Sequence, residues 1–458
     1  DHRDLHYPLR RQRQMCIRDR YRKMSDKMHI LGFMMYTPIN HMTLSWADPD
    51  DQQVGQFGSM EYWQNLAQTM ERGKFDGLFF ADVPSVYDMY KNTTDYAIKH
   101  GVSWPAHDPV TLIGIMGAAT KRLGIAPTVS AASLHPFLAV RSLSSLDFLT
   151  KGRVGWNIVT GNARSEHRAM GLQVMEHDER YDRADEYMKI CYALWDGISE
   201  EAILADAKQG IYADPSKVKK INHTGNYFRC YATPSVLPSK QRRPVLFQAG
   251  SSGRGQQFAR KHADVIFAIQ PDLDRMKLFM DQINQTAVIS EENQTPRVTF
   301  AVQPFVAKTR KAAVEKKNEM LSRIPIEAAL TRISGTFGID LDTVDIDQPL
   351  QEIKTQASQG LVKTMSQMFN DKNMTLREAI RLSGLAGLIP QIMGSPEMVA
   401  DELELIWRET GCHGFNITPA VVPGGYEDFV NEVVPILQDR NIFRKEYEAE
   451  TFRGNLLS

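Results

Sequence analysis

From Met28 onward the chain alternates short apolar, β-type runs with helical patterns, and it does so eight times. The runs are HILGFMMY (29–36), DGLFFAD (76–82), LGIAPTVS (123–130), GRVGWNIVTG (152–161), PVLFQAGS (244–251), ADVIFAIQ (263–270), RVTFAVQPFVAK (297–308) and GFNITPAV (414–421). Helical patterns follow them, among them SMEYWQNLAQTMERGKF (59–75), HPFLAVRSLSSLDFLTKG (135–152), DERYDRADEYMKICYALWDG (178–197) and EDFVNEVVPILQDRN (427–441). Eight strands each followed by a helix predict a TIM barrel, an α/β (β/α)8 fold, rather than an open dinucleotide-binding sheet. No GxGxxG follows the first strand, which weakens the open-sheet alternative further.

At 458 residues the chain exceeds the usual ~250 of this fold, so it must carry insertions. They are expected at about 198–243 and 324–392, the latter polar and loop-like, as candidate lids within one domain spanning 28–458. Residues 1–27 read as a disordered or artefactual tail. The segment RQRQMCIRDR resembles translated sequencing-adapter sequence, and the expected start is Met24 or Met28.

Charge and composition exclude several classes. A net charge of −1 lacks the basic footprint of a nucleic-acid binder. No run reaches the roughly 18 apolar residues of a membrane span. Four dispersed cysteines form no CxxC pair and twelve histidines no HExxH, so neither a disulfide framework nor a metal site is expected, and a cytoplasmic setting is the default.

In such a barrel, ligands sit at the C-terminal strand ends. There the chain places Asp82, Thr128 and Ser130, Asn157 with Thr160 and Asn162, Ser251 with Ser252, and Gln270. Each alone reads more readily as a turn or capping residue; five strands doing so together point to one shared polar site. GRVGWNIVTG is either a plain core strand or the edge of that site. The segment GSSGRGQQFARKHA (250–263) leaves backbone N–H groups free at a helix start and, with Arg254 nearby, suits a phosphate without being a Walker A loop. His41, in the loop TPINH, and His135, before Pro136, would lie at the mouth as general acid–base candidates or as helix-entry residues. His177 and Tyr181 are four apart and share a helix face.

These segments, in this order, resemble the bacterial luciferase-like flavin monooxygenases. The match is closest to the branch holding nitrilotriacetate monooxygenase component A, dibenzothiophene-sulfone monooxygenase and the long-chain alkane monooxygenase. The most specific pieces are FDGLFFAD, the block from HPF through LSSLDFLTKGRVGWNIVTG, HDERYDRADEYMKICYALWDG, QAGSSGRGQQFARKHAD and the closing GSPEMVADEL to GFNITPAVVPGGYEDF. The resemblance implies a barrel that takes reduced FMN from a separate NAD(P)H flavin reductase. With O2 as co-substrate it would oxygenate a small organic substrate of sulfur, amine or alkane type through a C4a-(hydro)peroxyflavin. It implies FMN contacts at Asp82, Ser130, Asn157, His177, Tyr181, Ser251 and Ser252, with the serine pair at the phosphate, and a substrate side lined by His41 and His135. A homodimer or homotetramer is expected. The competing readings are an F420-dependent hydride-transfer oxidoreductase on the same barrel and a non-catalytic flavin-binding protein.

Overall fold

The computed structural model describes residues 27–161, 163–250, 253–287, 295–349, 352, 373–383 and 388–457. Each of the eight runs forms a strand: β1 His29–Met35, β2 Gly77–Ala81, β3 Gly124–Ser130, β4 Gly155–Val159, β5 Val245–Gln248, β6 Val265–Ala268, β7 Arg297–Val306 and β8 Gly414–Ile417. Neighbours pair in parallel in the order β6-β5-β4-β3-β2-β1-β8-β7, and β6 also pairs with β7, which closes the sheet. The fold is a (β/α)8 barrel.

The strands are apolar on both faces because both are covered. Leu31, Phe33, Phe79, Ala126, Phe247 and Phe267 point inward and pack together. The residues between them, such as Ile30, Leu78, Phe80, Ile125, Leu246 and Ile266, pack outward against the helices. The helix Met60–Arg72 shows the local logic: the Ser59 side chain accepts from the Tyr62 N–H at its start, and Trp63, Leu66, Ala67 and Met70 form its buried face.

The N-terminal end of the barrel is sealed by the C-terminal segment. Phe452 enters where a Cβ on Gly124 would meet its ring at 2.4 Å, and Gly77, in register with Gly124, would meet it at 2.9 Å. Beside it lies a buried ionic chain. Arg444 Nη2 donates to Asp76 Oδ1 at 2.6 Å and to the Asn455 carbonyl at 2.8 Å. His29 Nδ1 meets the same Asp76 oxygen at 2.9 Å, the Ile30 N–H donates to the other at 2.9 Å, and Arg297 reaches His29 Nε2.

Two additions decorate the barrel. Between the helix His177–Trp195 and β5 run two antiparallel hairpins, Ile203–Asp206 with Ile211–Ala213 and Ile221–Thr224 with Arg229–Ala232. Glu186 pins the second, accepting from the N–H groups of Asn226, Tyr227 and Phe228 and from His223 Nε2. Between β7 and β8 lie the helices Arg310–Arg323, Ile326–Phe337 and Leu376–Ser383. Their Leu321, Ala329, Ile333 and Ile380 join the same apolar cluster as Phe33, Phe79 and Phe267. The region from 324 onward, loop-like by composition, therefore includes helices with buried apolar faces. A short extra strand, Gln391–Gly394, extends β7 in parallel; at four residues it is too brief to show a period. Among the described residues no helix is long and apolar enough to cross a membrane.

Candidate active site

At the C-terminal end of the barrel, β3 and β4 place Thr128 opposite Asn157. Thr128 Oγ1 donates its proton to the Phe80 carbonyl at 2.7 Å and accepts from Asn157 Nδ2 at 2.8 Å. That pair fixes the amide orientation, because a hydroxyl whose proton is already committed can only accept from the NH2 group. Asn157 Oδ1 is left buried with no partner among the described residues. An orphaned buried acceptor costs about 1–3 kcal/mol unless a ligand supplies the donor. One step on, the Ser130 hydroxyl accepts from the Ala132 N–H at 3.2 Å, and its own proton remains to donate.

Asp82 follows β2 in the same rim. Burial, reinforced by Asp108 and Glu166, pushes its carboxyl up to about 7. Glu166, on the short helix after β4, is itself buried, with Oε1 unpartnered among the described residues. The folded state thus holds the Asp82 proton more tightly than the unfolded chain, so stability contributed by this site is present at acid pH and lost as pH rises toward 7. Asp82→Asn removes that loss. Between pH 5 and pH 8 the stability difference is expected to move in the variant's favour by about 2–3 kcal/mol. Thermal melts at both pH values check this, and a pH-independent difference would contradict it.

On the next rim segments, His177 begins the helix His177–Trp195, half exposed, with its ring 5.2 Å from Tyr181. Tyr181 is buried against Phe258, at 5.6 Å, on the helix Gly253–His262. Ser251 and Ser252, expected at the phosphate, lie outside the described residues. Arg254 does not offer the free charge expected of it: Asp182 and Asp185 take its Nη2 at 2.8 and 2.7 Å.

The two histidines differ. His135 caps the helix Pro136–Leu149: its Nδ1 accepts from the Phe137 N–H at 3.2 Å and its Nε2 faces the Arg229 carbonyl at 3.3 Å. Both nitrogens are committed, so in this arrangement His135 ties the helix to the hairpin insertion and has no free nitrogen for acid–base work. His41 is buried and stacked on Phe33, with ring centroids 3.6 Å apart. Burial, with Arg332 adding to it, holds its pKa well below the usual histidine value, while a backbone hydrogen bond at Met34 opposes them. The ring is therefore neutral near pH 7, and its Nε2 is buried without a partner among the described residues. Gln303 Nε2, on β7, is a further orphan that sequence inspection missed, hidden in an apolar run. Arg332 is another, on the insertion helix; its signal is a lone cation between the buried Ala328, Ala329 and Ile333.

The family model for luciferase-like monooxygenases matches residues 39–414. The long-chain alkane monooxygenase of Geobacillus thermodenitrificans is 38% identical over 437 residues, covering 94% of each chain. A solved long-chain alkane monooxygenase structure superposes with a TM-score of 0.86 at 36% identity, covering 95% of this chain and 96% of that one. Nitrilotriacetate monooxygenase component A of Aminobacter aminovorans is 33% identical over 94% of this chain and 97% of its own. A riboflavin lyase solved with a modified FMN and riboflavin superposes with a TM-score of 0.85 at 33% identity, covering 94% and 96%. The chain belongs to the luciferase-like monooxygenase family and is a flavin-dependent monooxygenase.

Proposed function

We propose that this enzyme takes reduced FMN from a separate NAD(P)H flavin reductase and uses it with dioxygen to oxygenate a small organic substrate of sulfur, amine or alkane type. The observation that carries the reading is the orphaned Asn157 Oδ1, an acceptor held by Thr128 at the C-terminal rim of the barrel. The modified FMN in a riboflavin lyase of the same fold supports the cofactor. A relative named as one component of a monooxygenase supports the separate reductase.

The residues present fit a flavin. Asn157 Oδ1 would accept a ring N–H, and Ser130 would donate. Tyr181 and His177 would flank the ribityl side, and the amides leading into Gly253–His262, with Ser251 and Ser252, would hold the phosphate. Reduced FMN, when bound, supplies the activation of dioxygen and the oxygen transfer. The chain's own part is positional and electrostatic. Phe33, Phe79 and Phe267 line the barrel with apolar surface, and the insertion helices pack onto the same cluster to exclude water. Neutral His41 offers Nε2 to accept or return a proton on the substrate side, and Asp82 holds a proton at its carboxyl near pH 7.

Anaerobic titration with reduced FMN, followed by oxygenated buffer, tests this. Tight binding and a return of the oxidised-flavin spectrum that is delayed relative to free flavin are expected. Failure to bind reduced FMN, or binding of reduced F420 in its place, would overturn it.

A further inference from the structure

We infer that the substrate carries an anionic group, a carboxylate or sulfonate, and that Arg332 binds it at the barrel mouth. Arg332 stands on the insertion helix Ile326–Phe337 and is 8% exposed. Its Nη1 is fully buried and finds no acceptor among the described residues. Burial is the main influence on its ionisation; among the described residues Tyr87 is the one group that favours the charge, and no carboxylate contributes. Tyr87 packs on the same helix, where a Cβ on Gly335 would meet its ring at 2.4 Å.

Among the described residues the two other arginines that are buried as whole side chains are satisfied, while the half-buried Arg180, Arg243 and Arg260 each leave an Nε unpartnered. Arg153 spends its guanidinium on Thr120 Oγ1 and on the carbonyls of Thr150, Leu123 and Gly117. Arg444 is held by Asp76 and the Asn455 carbonyl. A guanidinium without such partners is costly to bury, so its partner is supplied from outside the fold. A planar fork of donors selects a carboxylate or sulfonate, which it can take through two parallel hydrogen bonds.

Position separates this anion from the flavin phosphate. Arg332 lies within electrostatic reach of His41, which follows β1, whereas the helix start that suits a phosphate follows β5. Beside Arg332 the unpartnered Nε2 of His41 and the ring of Phe33 offer a proton acceptor and an apolar wall. The arrangement suits an organic anion with an apolar body, its charged end on Arg332 and its reacting atom toward the barrel axis. The assignment of the two sides rests on the proposed flavin site.

Matched probes test the inference by thermal shift and intrinsic fluorescence, with and without FMN: hexanoate, hexanesulfonate and 3-(methylthio)propanoate against hexanamide and methyl 3-(methylthio)propanoate. At least one anion is expected to bind about tenfold or more tightly than its neutral counterpart. Arg332→Met should abolish that preference, leave reduced-FMN affinity unchanged and raise the melting temperature, because it removes an uncompensated buried charge. Equal binding of every anion and its neutral counterpart overturns the inference. So does a variant with a lowered melting temperature, as a structural arginine would give, or one that loses FMN affinity. Absence of reduced-FMN binding in the parent protein would defeat the flavin reading alone, since the anion preference is also read without flavin.

Discussion

Arg444→Met is expected to destabilise the protein by about 3–5 kcal/mol, the largest stability loss for a single substitution away from the mouth. Asp76 has no exposed side-chain surface, and Arg444 is the cation it touches directly. Burial alone would raise the Asp76 carboxyl, but Arg444 and His29 outweigh it and hold the pKa below the ordinary value. His29 is itself lowered by burial, so near pH 7 it is a neutral ring that donates through Nδ1 to Asp76 and accepts at Nε2 from Arg297. Removing Arg444 leaves a buried carboxylate facing a neutral imidazole. Because the native Asp76 pKa is depressed, its stabilising contribution is present above the unfolded value and lost as pH falls through the folded one. The deficit of the variant should therefore shrink as pH is lowered and its carboxyl, raised by burial and no longer held down by Arg444, protonates. Denaturant unfolding at pH 7.5 and pH 5 measures both parts. Unchanged stability at pH 7.5 would show that the chain of charges does not hold the barrel floor.

The second large effect is catalytic. His41→Phe keeps a ring stacked on Phe33 and removes both nitrogens. With an accepted substrate and a flavin reductase, kcat is expected to fall about 10²–10⁴-fold, the usual contribution of a positioned acid–base group. Reduced-FMN affinity should hold, because His41 follows β1 and stacks on it, three strands around the barrel from the β4 that carries Asn157. An unchanged kcat would remove His41 from proton handling and leave it as a packing residue.

How much of this the sequence could show depended on whether the signal was local. The eight strands were legible because burial on both faces makes each an unbroken apolar run, and eight such runs with helices between them close only as a barrel. Asn157 was legible as a lone amide inside such a run. Its orphaned acceptor was not, since it follows from the Thr128 proton going to Phe80 across two strands. The ionic chain at the floor joins His29, Asp76, Arg297 and Arg444, residues separated by up to 415 positions, and no spacing rule connects them. Arg254 looked like a phosphate cation because the sequence does not reveal that Asp182 and Asp185, three apart on one helix, face it. Arg332 was hidden for a related reason. In a stretch that composition marks as polar, a single arginine looks solvated, and only the packing of Ile326–Phe337 shows it buried.

In the proposed complex the flavin ring supplies the donor that Asn157 Oδ1 lacks. Anaerobic titration of reduced FMN into the parent protein and into Asn157→Ala tests it most directly. Loss of a hydrogen bond to a buried, preoriented acceptor predicts a Kd about tenfold or more weaker in the variant. Equal affinities in the two proteins would contradict the account and move the flavin away from the β3–β4 rim.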